Sequence, residues 1–152
     1  RTTQIRVEGF EKSVAYRAAQ LQSVLAPLGE ATIVSNDGLW KSVRDVERFH
    51  ALETAVWRIS VRPSDGANVA KTLEASNDTV EIVFDWGGGL IWASTPADLD
   101  VRAVLNGISG YAECVRGTHT KRVPQNAAIA KIEQGLRAKF DPNSILNAGI
   151  MG

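Results

Sequence analysis

The sequence predicts an α+β domain in which a largely antiparallel sheet carries its helices mainly on one face. Two observations lead there. Residues 54–117 read as strand, helix, hairpin, helix, strand, and the first of those strands has unlike sides. Trp57, Ile59 and Val61 point one way, while Arg58, Ser60 and Arg62 point the other. That period of two belongs to a sheet with one buried side.

The elements follow in order. Residues 4–7 alternate and read as a strand ended by Glu8-Gly9,. Val14, Ala18, Leu21, Leu25 and Leu28 recur at spacings of 4, 3, 4 and 3, which predicts an amphipathic helix closed by Pro27 and Gly29. Residues 31–34 read as a short strand, and Asp37 as the cap of a helix carrying Leu39, Trp40, Val43 and Val46,. After the strand over 54–62, Pro63-Ser64-Asp65-Gly66 turns into a short helix with Val69 and Leu73. Residues 79–86 are β-rich, Gly87-Gly88-Gly89 makes a hairpin turn, and residues 90–94 return,. Thr95 is expected to cap a helix with Pro96 at its first position, where the missing N–H costs nothing,. Val101, Leu105, Ile108 and Tyr111 or Ala112 would form its inner face, and residues 113–117 the last strand.

At the C-terminal end, Ile129, Ile132, Leu136 and Phe140 are spaced 3, 4 and 4 apart, the recurrence of a helical face packed on a core. Asp141-Pro142 stops that helix, because proline has no N–H and restricts the residue before it,. Ile145-Leu146 then reads as an apolar plug.

Strand, helix, strand, hairpin, strand, helix, strand is the split βαβ arrangement of ferredoxin-like domains, here extended by an N-terminal βαβ. Helices on one side leave the other side for solvent, a ligand or a second domain. In the usual strand order of that fold, residues 113–117 run beside residues 54–62, so Arg58 and Arg116 are expected to converge on the uncovered face.

Composition narrows the function classes. With 152 residues, 44% of them hydrophobic, the chain suffices for one domain, 1–152, with its own core,. Equal counts of acidic and basic side chains, 17 each, give no reason to expect nucleic acid or an anionic membrane as partner,. No apolar run approaches the roughly 20 residues of a membrane span, and no signal-peptide pattern is present. Cys114 stands alone, reads as a small buried hydrophobe and suits a reducing, cytoplasmic compartment,. One cysteine and two separated histidines, His50 and His119, offer no metal-ligand spacing,. The opening Arg1-Thr2-Thr3-Gln4, without a methionine, suggests either a fragment of something longer or a processed chain.

Specific wording points further. Phe140, Asp141, Pro142, Ile145, Leu146, Asn147 and Gly149 match the tail signature of FAD-linked oxidases of the vanillyl-alcohol oxidase type, which the chain resembles. Ala148 and Ile150 depart from it, standing where that family has proline and a basic residue. The runs Trp57-Arg58-Ile59-Ser60-Val61, Trp86-Gly87-Gly88-Gly89 with Trp92, and Ala112-Glu113-Cys114-Val115-Arg116 resemble the FAD-binding subunits of bacterial glycolate oxidases.

That resemblance implies the C-terminal cap and substrate domain of a longer flavoprotein that oxidises glycolate, a 2-hydroxy acid, to glyoxylate. Its partners would be the flavin-binding domain of the same chain, a second flavin subunit and an iron–sulfur subunit, and other subunits would supply any membrane association. FAD would be held mainly by the N-terminal domain. No Gly-rich phosphate loop follows a strand and opens a helix here,, so the isolated chain is not expected to hold FAD. Asn147 and Gly149 would place the tail against the cofactor domain.

Oxidising a 2-hydroxy acid needs a cation for the carboxylate and a base near the hydroxyl, with the flavin taking the hydride. A bidentate arginine suits the carboxylate. Arg58 is the first candidate and Arg116 the second, with His119 or His50 as base; the alternative for the arginines is a surface or interdomain ion pair. Trp57 and Trp40 fit core positions, while Trp86 or Trp92, beside the glycine turn, either joins the core or reaches over a flavin or partner,. Two other classes stay open. One is a ferredoxin-like regulatory module holding a small anionic ligand on its arginine face. The other, a single-stranded RNA binder, needs exposed aromatics and a basic surface and ranks last.

Overall fold

The computed structural model describes residues 2–35, 37–119 and 127–146. The chain divides into two compact units, residues 1–40 and 41–152, with one helix, α2 (Asp37–Asp45), running across the division.

The first unit is built on α1 (Glu11–Leu25). The predicted stripe is there: Val14, Ala18, Leu21 and Leu25 are half-buried, whereas Leu28, past the helix end, is exposed. Neither residues 4–7 nor residues 31–34 form a strand, so the N-terminal βαβ extension is corrected to a helix with irregular flanks. A β-like run becomes a strand only when a ladder takes up its backbone groups and one side is buried. Here the Gln22 side-chain amide donates to the Ala31 carbonyl at 2.8 Å, and Ile5, Ile33 and Val34 are all exposed.

The second unit carries the predicted sheet. Its strands are β1 (Ala55–Val61), β2 (Glu81–Asp85), β3 (Leu90–Thr95) and β4 (Gly110–Arg116), in the order β2-β3-β1-β4 with every pairing antiparallel. This is the ferredoxin-like order. The helices α3 (Gly66–Ser76) and α4 (Val101–Val104) lie against one face. Trp57, Ile59, Ile91, Ala93 and Cys114 from the strands meet Val69, Leu73, Val101 and Leu105 from the helical side in a single buried cluster, the burial that drives such layers together.

Two helices differ from expectation. The one expected from Thr95 shrinks to the single turn of α4, capped by Asp100, whose carboxylate accepts the Arg102 N–H at 3.0 Å. Thr95 instead ends β3, fully buried, and Gly107 at φ +89° helps turn the chain into β4,. Tyr111 and Ala112 therefore belong to a strand. The C-terminal helix α5 (Ala127–Phe140) forms and stops as predicted, but its apolar face is exposed. Ile129, Ile132, Leu136 and Phe140 are 44, 60, 53 and 79% exposed; the helical side of the core cluster is supplied by α3, α4 and Leu105, and α5 adds no buried residue to it. Ile145 and Leu146 are likewise exposed rather than a plug. What fastens this tail is the buried Asp141, whose two carboxylate oxygens accept the Ile145 and Leu146 N–H groups at 2.8 and 3.0 Å.

Candidate functional site

Alternation along β1 sends Ala55, Trp57 and Ile59 into the core and Arg58 and Ser60 to the opposite face,. Arg62 lies past the strand end and pairs with Asp65 at 2.9 Å. In register, Arg58 sits between Trp92 of β3 and Glu113 of β4, and Ser60 between Leu90 and Tyr111. One end of this face is roofed by residues 47–54: Arg48 pairs with Glu81 at 2.8 Å, the Thr54 and Ser94 hydroxyls lie 2.6 Å apart, and Val56 and Ser94 are buried. The other end holds the arginine.

Arg58 is half-buried and framed by aromatic rings. Its Nη1 donates to the Tyr111 hydroxyl at 2.5 Å, and its guanidinium carbon lies 5.8 Å from the Trp86 ring centroid and 6.0 Å from that of Tyr111. The Trp86 ring attracts the cation, and the Tyr111 hydroxyl, at the edge of its ring, holds Nη1 and restricts how the guanidinium turns,. Among the described residues Arg58 forms no ion pair, although Glu113 is its neighbour in register. With one of five N–H donors used inside the protein, the fork can still meet a carboxylate through two parallel hydrogen bonds.

The structure does not bring Arg116 to this point. An irregularity between Val56 and Trp57 inserts an extra residue into β4, so Cys114 pairs with Trp57 and Arg116 with Val56,. The Arg116 guanidinium then binds backbone carbonyls, with Nε to Thr54 at 3.1 Å and Nη2 to Phe49 and Leu52 at 2.9 and 2.6 Å. It holds the segment that roofs the far end of the sheet. Arg116→Ala is expected to cost about 1–3 kcal/mol through those lost charge-assisted bonds, read as a lowered urea midpoint and faster amide exchange over residues 49–54.

His119 is on the helix side. Its Nε2 lies 3.0 Å from the Ala97 carbonyl, and its ring centroid stands 5.2 Å from that of the fully buried Trp57. The sheet therefore separates it from Arg58. Nearby, Arg102 stacks over Trp57 at 4.9 Å and pairs with Asp100 at 3.1 Å. Burial pushes the Asp100 carboxyl up, but hydrogen bonds from the Arg102 N–H and guanidinium and the Arg102 and His119 charges outweigh it and hold the group below its ordinary value,. His50 is exposed, its Nε2 2.9 Å from the Asp45 carbonyl. Asn147 and Gly149 lie outside the described residues.

A cavity of about 360 Å³ opens beside α4, lined by Ile59, Val61, Leu105, Ile108 and Ala112 with Arg102 among its polar groups. Asn106, Ser109 and Tyr111 are also in its wall, and Arg58 is not. Among the described residues no cluster of histidine, cysteine, aspartate and glutamate is arranged to hold a metal ion, and no helix is long and apolar enough to cross a membrane.

The sequence is related to a known oxidase subunit. Over 149 residues it is 30% identical to glycolate oxidase subunit GlcE of Escherichia coli (strain K12). The match takes in 97% of this chain and 38% of GlcE, so the chain spans well under half the length of that relative. It is a distant homologue of that subunit, and the shared stretch is long enough to take in residues of both compact units. No protein-family model matches the chain, and no solved structure does.

One residue of the arginine site lies where the sequence predicts a different element. Tyr111 was expected on a helix. The signal was available in β4, where the small residues Gly110, Ala112 and Cys114 alternate with Tyr111, Glu113 and Val115, a strand pattern with the larger side chains turned away from the core.

Proposed function

We propose that this chain is the substrate-side cap of a flavin-dependent 2-hydroxy-acid oxidase of the glycolate oxidase kind, with residues 1–152 acting as one part of a longer protein. One observation carries the reading: in a homologue of a glycolate oxidase subunit, Arg58 stands on the sheet face away from the helices, bracketed by Trp86 and Tyr111, with no carboxylate bound to it among the described residues. Such a cation takes the carboxylate of a small 2-hydroxy acid, and Tyr111 and Trp86 keep it from turning away.

The chain's residues fit FAD only as a neighbour. Gly87 and Gly88 are used in a turn packed against Pro63 and Gly66 rather than in a phosphate cradle, whereas Trp86, Trp92 and Tyr111 offer partly exposed aromatic surface beside Arg58. FAD is therefore held mainly by a flavin-binding domain outside this chain, and when bound it supplies the acceptor for the hydride. Arg58 orients the substrate by its carboxylate, and the proton of its hydroxyl leaves to a base not carried near Arg58 by either histidine. The further partners of the proposal are a second flavin subunit and an iron–sulfur subunit.

The test uses the longer flavoprotein that contains this region. Anaerobic glycolate is expected to bleach its flavin absorbance, and failure of glycolate and every other short 2-hydroxy acid to do so refutes the proposal. The lone chain is expected to be colourless after purification; stoichiometric flavin would move the cofactor site into it.

A further inference from the structure

Trp86 occupies a conformation that its side chain does not favour. Its φ is +50°, in the left-handed region where a bulky residue is an outlier. The turn enforces this. Asp85 Oδ1 accepts the Trp86 N–H at 2.7 Å, the Gly89 N–H returns to the Trp86 carbonyl at 3.2 Å, and Gly87 and Gly88 follow at +61° and +96°. The whole turn is wedged against the start of α3. A Cβ on Gly66 would stand 2.2 Å from the Gly88 carbonyl oxygen, and one on Gly89 would meet Pro63 at 3.3 Å.

Glycine would sit at position 86 without strain. The chain instead places its largest side chain type there, 64% exposed, with the indole facing the Arg58 guanidinium. Burial cannot be the reason for a ring that is mostly in water. Strain kept where a smaller residue would relieve it points to what the side chain meets. A carboxylate bound to the guanidinium leaves its adjacent carbon within reach of the Trp86 indole,.

We infer that Trp86 is a specificity-determining residue: its indole walls the Arg58 site and limits the substituent on carbon 2 of the acid, favouring glycolate over branched or longer 2-hydroxy acids. This rests on the reading of Arg58 as the carboxylate anchor. In a hydrophobic pocket one methylene more or less changes kcat/KM by about 10–200-fold, so removing the wall should be visible.

The experiment compares Trp86→Gly and Trp86→Phe with wild type in the flavin-loaded, full-length protein, using glycolate and 2-hydroxy-4-methylpentanoate as substrates. Trp86→Gly is expected to raise the kcat/KM ratio of the larger acid to glycolate at least about tenfold, with an equal or higher Tm because the strain is gone. Trp86→Phe is expected to keep most of the selectivity. An unchanged ratio in Trp86→Gly, or a lowered Tm with both substrates falling equally, overturns the inference and makes Trp86 structural. An Arg58→Ala control run alongside separates the failures: normal glycolate kinetics in that control removes the anchor, while a damaged control with an unchanged Trp86→Gly ratio removes the wall alone.

Discussion

Arg58→Ala in the full-length, flavin-loaded protein is expected to lower kcat/KM for glycolate by about 10²–10³-fold. The magnitude follows from the fork the substitution removes: hydrogen bonds to charged groups contribute about 1.5–3 kcal/mol each, and about 1.4 kcal/mol is a factor of ten. Arg58→Lys keeps the charge but loses the bidentate geometry and the guanidinium's contact with Trp86, so it should recover only part of the loss,. If the arginine holds substrate and transition state alike, the change appears in KM; if it orients the reacting carbon, kcat falls as well. Arg58 is not part of the buried cluster, so circular dichroism and Tm should stay near wild type. Steady-state kinetics indistinguishable from wild type would take Arg58 out of the site.

Trp57→Ala is expected to cost about 3–5 kcal/mol of stability, the range for emptying a large aromatic side chain from a packed interior. Domains of this size hold about 5–15 kcal/mol in all, so the variant should be largely unfolded well below the wild-type urea midpoint. Trp57 is fully buried at the centre of β1, with Arg102 over its ring and His119 against it. Its indole N–H finds no hydrogen-bond partner among the described residues. The ring is there for its volume, and Trp57→Phe should therefore lose far less, since it also removes an unsatisfied donor. Equal losses in the two variants would show that the indole nitrogen has a partner that matters.

Much of this was legible in the residues because period-two patterns and turn chemistry are local. The faces of β1, the glycine turn and the order of strands and helices from residue 55 onward follow from neighbours in the chain. Residues 4–7 and 31–34 carry the same kind of pattern without a ladder to join, which no local signal reveals. The role of Arg116 was hidden for the opposite reason. Its partners are carbonyls 62 to 67 residues away, and carbonyls carry no side-chain signature. Arg58 could be placed on the correct face by counting, but its aromatic frame needed the positive φ of Trp86 and the strand that Tyr111 joins.

The extra residue that β4 carries opposite the Val56–Trp57 step sets two phases along one strand. On one side of it, Cys114 keeps time with the interior; on the other, Arg116 keeps time with the loop it fastens. Were the ladder to run on regularly from the Trp57–Cys114 pair, Val115 would take the place opposite Val56, and Arg116 would fall opposite Ala55 and turn toward the helices, away from the carbonyls of Phe49, Leu52 and Thr54,. The irregular step, and not the residue type alone, decides which side of the sheet Arg116 serves.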